Sequence, residues 1–531
     1  VRANIHWYGR NARHARTFAR HCVTGPAPDH IIFSQQEFSL VKYQLYIDGE
    51  WRDPSSGEWF ESTEPYSGQA WAEIPRGTAQ DADAAVMAAH RAFLAPEWAD
   101  LTATQRGALL RKLAGLIERD ADRLGAIEQR DNGKLIAEVA NQVRGVAQWF
   151  YFYAGLADKV GGSVIPMPRK DVFNYTRYEP LGVVVAITPW NSPLSLSAWK
   201  MAPALAAGNT MVLKPSEFTS ASILELARLT EEAGFPKGVI NVVTGYGHEA
   251  GDALVRHRFT AKIAFTGGEA GGRIVNEAAA SDFKKVTLEL GGKSPNIVFA
   301  DADMKEAVKG AVAGIFSASG QTCLAGSRLL VQEAIHDEFM ERVVELVNSA
   351  RIGDPSRMET QIGPIATRPQ WEKILSMIAM AREDGATCML GGHALQGEGY
   401  GQGQFIAPTI FTNVTNDMRI AQQEVFGPVL SVIRFKDDDE AISIANDVPY
   451  GLAAGVWTQD LHRAFYCVER IRAGTIWVNN YRATSFATPF GGYKRSGIGR
   501  EGGVEAIKEY LQVKSVWITT RPNRANPFVT G

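Results

Sequence analysis

The chain predicts an α/β protein made of two doubly wound α/β units with a small β arm. Short apolar runs alternate with helical patterns over residues 182–290, and the same rhythm returns over residues 296–478. Apolar strands joined by crossover helices build parallel sheets covered on both faces. The length, 531 residues, exceeds what one core holds, so more than one domain is expected. Beyond the second set, residues 513–519 read as a strand, an edge suited to pairing with another subunit.

The elements follow in order. Residues 44–47 and the Asp48-Gly49 turn predict an antiparallel hairpin. Helices are expected over 81–94, 104–132 and 138–156, with Gly133 closing the second. Strands at 182–187, 210–213, 239–243, 263–266 and 286–290 alternate with helices near 196–207, 220–233, 249–255 and 271–280. The second unit is expected to hold strands at 296–299, 328–331, 429–435, 453–457 and 474–478, and a helix at 304–317. The glycine-rich stretch 391–403 reads as a surface loop. Residues 1–40 carry five arginines, no lysine and no sustained period. They are expected to form a poorly ordered extension without function.

Composition excludes several function classes. A net charge of −3 gives no reason to expect nucleic acid or an anionic membrane as partner. No run of about 18 apolar residues is present. Cys22, Cys323, Cys388 and Cys467 form no C-x-x-C pair, and the histidines form no metal-binding cluster, so neither a disulfide framework nor a metal site is expected. A reducing, cytoplasmic location fits that cysteine usage.

The chemistry concentrates where strands end. Gly320-Gln321-Thr322-Cys323-Leu324-Ala325-Gly326 sets a cysteine in a short loop flanked by glycines. Backbone N–H groups there can face an anion, which suits a thiolate nucleophile. Thr188-Pro189-Trp190-Asn191, Lys214-Pro215-Ser216-Glu217, Phe265-Thr266-Gly267-Gly268 and Leu288-Glu289-Leu290-Gly291-Gly292-Lys293 each follow a predicted strand. In a doubly wound sheet, nucleotides bind beyond those carboxyl ends. The stretch Gly267–Gly272 lacks the G-x-G-x-x-G spacing but opens a helix, so its bare backbone can approach a pyrophosphate.

Taken with Glu424-Val425-Phe426-Gly427-Pro428 and Pro489-Phe490-Gly491-Gly492-Tyr493-Lys494, these motifs resemble the NAD(P)-dependent, non-acylating aldehyde dehydrogenase superfamily over about residues 43–519. The resemblance implies NAD-dependent oxidation of an aldehyde to a carboxylic acid. It makes Cys323 the nucleophile, Asn191 with the Cys323 N–H the oxyanion donors, and Glu289 the base that activates the hydrolytic water. The flanking Leu288 and Leu290 suit a carboxylate whose pKa must rise. Lys200 and Glu501 match proton-relay positions. Lys214 and Glu217 match contacts to the adenosine ribose, where a carboxylate favours NAD over NADP.

Trp190, Gly267, Gly268, Gly272, Glu424 and Phe426 match the rest of the cofactor path, with Gly268 replacing a commoner serine. Trp149, Trp199, Thr322, Leu324, Arg482, Thr484 and Phe490 are expected along the aldehyde tunnel. Arg482 would favour an aldehyde with a distant carboxylate or other acceptor; the alternative is an arginine at the mouth facing water. The pattern is similar to catabolic members acting on aromatic or heterocycle-derived semialdehydes or lactols. A homodimer or homotetramer is implied. So is a division into a cofactor domain (41–156 with 180–291), a catalytic domain (292–505), and bridging segments (157–179 and 506–531). An acylating member, which hands its thioester to coenzyme A, generally lacks the base that Glu289 supplies.

Overall fold

A computed structural model describes residues 40–521 and residue 528. Apart from Leu40, the expected N-terminal extension lies outside the described residues, and so does Cys22.

One sheet has eight strands, in the order Gly497–Ile498, Lys285–Glu289, Thr260–Thr266, Val183–Thr188, Thr210–Pro215, Ile240–Val242, Leu45–Ile47 and Glu50–Arg52. The five strands between residues 183 and 289 run parallel. The predicted hairpin is present, with Tyr46 opposite Trp51. Val183, Val184, Val185 and Ala186 are buried, because helices cover both faces of the sheet. The first of the five strands, Val183–Thr188, lies between the second and the fourth. The chain reverses its direction of winding there, and the crevice opens between Thr188 and Thr266.

The second sheet has seven strands, in the order Thr387–Leu390, Thr409–Thr412, Val429–Phe435, Arg328–Gln332, Pro295–Val298, Ala453–Trp457 and Thr475–Val478. All pairings are parallel except that of Thr387–Leu390. A three-stranded arm pairs Leu511–Thr519 antiparallel with Val172–Pro180 along its whole length. Val164–Ile165 takes the far side of Val172–Pro180, so the C-terminal strand is an edge, as its sequence predicts, and Trp517 on it is exposed.

The structure corrects three expectations. The helix expected over 104–132 is two, Ala103–Arg119 and Ala121–Asn132. At Asp120 the backbone leaves helical geometry (φ −100°, ψ 12°), and Arg119 and Arg123 bind its carboxylate. The helix expected over 249–255 is a π-type turn, Gly247–Gly251, followed by Asp252–Arg256. The stretch read as a loop over 391–403 contains Ala394–Leu395, paired with Phe405–Ile406.

Candidate active site

Two cavities meet at Cys323. The smaller, about 140 Å³, is lined by Trp190, Gly267, Gly268, Glu424 and Phe426 among others. The larger, about 420 Å³, is lined by Trp149, Trp199, Thr322, Leu324, Arg482, Thr484 and Phe490 among others. Cys323, Glu289, Asn191, Leu196 and Thr266 line both.

The Cys323 loop is tightly specified. Ala318, Ser319 and Gly320 are all left-handed (φ 52°, 52° and 72°), an arrangement that persists only where surroundings enforce it. The Ala318 N–H donates to Glu138 Oε1 at 3.0 Å, and Ser319 Oγ donates to the Gly363 carbonyl at 2.9 Å. A Cβ on Gly320 would lie 2.1 Å from the Gly427 carbonyl oxygen, so glycine is required there. Gln321 donates to the Pro364 carbonyl and accepts from the Ala366 N–H. The Asn191 amide donates to the Gln321 carbonyl at 2.9 Å, which ties it to the same loop; its second N–H is the one left for another acceptor.

Burial first, then the charges of Glu289 and Glu424, push the Cys323 thiol up to about 12, although the N–H groups of Cys323 and Leu324 oppose this. The enclosure and two nearby carboxylates outweigh the N–H dipoles and favour the thiol over the thiolate.

Glu289 is buried, and its Oε2 has no hydrogen-bond partner. Burial raises its pKa well above the ordinary carboxylate range, and the charge of Glu501 adds to that rise. Behind it, Lys200 Nζ donates to Glu501 Oε1 and Thr266 Oγ1, both at 2.6 Å, with Lys200 and Glu501 buried. Lys200 sits on the helix Pro193–Ala207, which also carries Ser195, Leu196 and Trp199 to the larger cavity. Those three share one helical face.

On the smaller cavity, Trp190 meets Phe426 edge to face at 5.3 Å. Glu424 accepts from the Gly292 N–H at 2.9 Å. A Cβ on Gly268 would touch nothing within 4 Å, so bare backbone lines the cavity at the start of the helix Glu269–Ala280. The structure does not bring every expected cofactor residue to this cavity. Lys214 is buried with its Nζ on the Pro215 carbonyl at 3.0 Å, and burial lowers its pKa to about 8. Glu217 is half-buried close by, and Gly272 lines a separate cavity of about 360 Å³.

The model of the aldehyde dehydrogenase family matches residues 51–516. The chain belongs to that family. It is 48% identical over 480 residues to (Z)-2-((N-methylformamido)methylene)-5-hydroxybutyrolactone dehydrogenase of Acinetobacter baylyi, covering 90% of this chain and 97% of the relative. It is 45% identical over 493 residues to retinal dehydrogenase 2 of Homo sapiens, covering 92% and 94%. The crystal structure of betaine aldehyde dehydrogenase from Staphylococcus aureus in complex with NAD+ superimposes with a TM-score of 0.91 at 40% identity, covering 92% of this chain and 97% of that one.

Within this aldehyde dehydrogenase, several residues of the site had escaped the sequence reading. Gln142, Ser192 and Ser195 form a polar wall of the larger cavity, and Gln370 and Lys373 line the smaller one. Thr266, the acceptor of Lys200, did carry a signal, standing at a strand end before two glycines. Gln142, Gly145, Val146 and Trp149 occupy one face of the helix Ile136–Leu156, a spacing that a buried core helix would also show.

Proposed function

We propose that this protein oxidises an aldehyde to its carboxylic acid with NAD, through a covalent intermediate on Cys323. The observation that carries the reading is that Cys323, Asn191 and Glu289 stand at the junction of two cavities, one suited to a dinucleotide's reactive end and the other to an aldehyde. The switch-point crevice, the exposed backbone at Gly267 and Gly268, the Glu424 carboxylate and the Trp190–Phe426 pair fit a nicotinamide ribose. Lys214 and Glu217 fit the adenosine ribose, with Gly272 helping to seat the helix beside the pyrophosphate. Residues 41–156 with 180–291 then serve as the cofactor domain, and residues 292–505 as the catalytic domain.

NAD bound in this crevice supplies the hydride acceptor. The Cys323 sulfur adds to the carbonyl carbon while its proton passes to the Glu289 carboxylate, which suits a thiol held neutral. The Asn191 amide and the Cys323 N–H stabilise the resulting oxyanion; losing one such donor typically costs about 3–4 kcal/mol. When hydride leaves the thiohemiacetal carbon, a thioester remains on Cys323. Glu289, having passed its proton toward Glu501 and Lys200, then takes a proton from the water that hydrolyses the thioester. Trp199, Thr322, Leu324 and Phe490 hold the aldehyde's body. The C-terminal edge strand supports a homodimer or homotetramer.

Assaying NADH absorbance with a panel of aldehydes, with and without coenzyme A, tests this reading. Turnover without coenzyme A, releasing the free acid, is expected. Turnover only with coenzyme A would assign the acylating reaction instead.

A further inference from the structure

The lining of the larger cavity is both aromatic and polar. Trp149 and Trp199 stack at 4.7 Å, and Phe490 meets Trp199 edge to face at 5.4 Å. These rings make part of the lining flat and apolar. Gln142, Ser192 and the Arg482 guanidinium add polar groups to the same lining.

Arg482 stands where the sequence left two readings open, a carboxylate partner or an arginine at the mouth. It is half-buried and lines the cavity together with Cys323, and its backbone is held left-handed at φ 70°. A non-glycine residue in that region is strained, and such strain gathers at functional positions. The guanidinium donates through Nη1 to the Ala313 carbonyl at 3.1 Å. That single anchor fixes its direction and leaves most of its five N–H donors uncommitted.

No carboxylate among the described residues pairs with it at ion-pair distance. Glu138, whose charge acts on Arg482, is engaged instead by the Ala318 N–H. Lys134 adds a second cation, bonded to two lining residues. Its Nζ donates to Gln142 Oε1 at 2.8 Å and Ser192 Oγ at 2.6 Å, both on residues that line the cavity. Glu128 and Glu138 act on Lys134, and Glu138 also acts on Arg482, so the two cations are balanced in charge while the Arg482 N–H groups stay free for a ligand.

Resting on the proposed aldehyde oxidation, we propose that Arg482 selects substrates that carry an anionic carboxylate at the end remote from the carbonyl, joined by a flat or unsaturated spacer. The carbonyl lies at Cys323, the spacer lies along Trp149 and Trp199, and the carboxylate accepts the free N–H groups of Arg482. A planar guanidinium suits a carboxylate because it offers two parallel donors.

The test compares an acid with its neutral isostere, 4-formylbenzoate against its methyl ester, and repeats the comparison for a four-carbon saturated semialdehyde and its ester. NADH formation by the full-length protein with saturating NAD is followed, and kcat/KM is taken for each substrate. The acid is expected to exceed its ester by about 10-fold or more for the aromatic spacer, chiefly through KM, and by less for the saturated one. Arg482→Gln should erase that ratio, and Arg482→Lys should keep part of it. An acid-to-ester ratio near one for the aromatic spacer in the unaltered protein would overturn the proposal, as would a ratio that Arg482→Gln leaves unchanged. Absence of NADH with every aldehyde, esters included, would instead count against the reaction itself.

Discussion

Glu289 and Glu501 are two buried carboxylates within each other's field, and only Glu501 is neutralised directly, by Lys200 at 2.6 Å. Burial first and the charge of Glu501 second favour the protonated form of Glu289, against the charges of Lys200 and Arg500. Its ionised form, which a base requires, is populated only well above the ordinary carboxylate range. Activity limited by thioester hydrolysis should therefore rise with pH along an acidic limb displaced upward. Glu501→Gln removes the second negative charge and leaves Lys200 positive, so the pKa of Glu289 should fall. The limb in kcat is expected to move to lower pH by roughly one unit. An unmoved limb would remove Glu501 from the field of the base.

The sulfur should behave as a neutral thiol before the reaction starts. Burial first and the nearby carboxylates second hold Cys323 up at about 12. In a titration followed by thiolate absorbance, the difference between the protein and Cys323→Ala should show no thiolate between pH 6 and about 9, where an ordinary cysteine has largely ionised. A midpoint below about 8 would contradict the electrostatics described for this loop.

Two glycines near the site should respond in opposite ways. Gly320→Ala places a Cβ 2.1 Å from a backbone carbonyl at φ 72°, so it should cost about 2 kcal/mol or more in stability and lower NADH production by displacing the Cys323 loop. Gly268→Ser meets nothing within 4 Å and supplies a hydroxyl at the N-cap of Glu269–Ala280, so stability should change by at most about 0.5 kcal/mol. Urea unfolding of both variants checks this. Equal losses would mean that the backbone around Cys323 is not constrained as described.

Much of this architecture was legible in the sequence. Buried parallel strands need apolar residues on both faces, so 182–187 and 453–457 announce themselves, and the motif residues stand where those strands end. What escaped the reading depends on contacts distant in sequence. At the break around Asp120, Arg119 and Arg123 reach Glu232 and Glu225, carboxylates far away in the chain. Helices such as His336–Asn348 and Arg368–Glu383 went unassigned from the pattern, although strands they pack against, at 328–331 and 429–435, were legible. The state of Cys323 could not be read from its loop, because the groups that set it, Glu289 and Glu424, come from elsewhere in the chain. The surroundings of Arg482 came from the same kind of long-range meeting, with Lys134 and Glu138.

Discrimination between dinucleotides should rest on Glu217, half-buried beside Lys214. A carboxylate accepts from ribose hydroxyls and repels a 2′-phosphate. Glu217→Ser should narrow the NAD-to-NADP ratio of kcat/KM by roughly tenfold. An unaltered ratio would place ribose recognition on other residues.

The central claim is that Cys323 carries the acyl group and Glu289 releases it. A rapid-mixing experiment on Glu289→Gln, with saturating NAD and aldehyde, tests this most directly. One equivalent of NADH per site should form in a burst and then stall, and intact mass should show the acyl adduct confined to Cys323. Steady turnover at the unaltered rate, or a burst with no adduct on Cys323, would contradict the account.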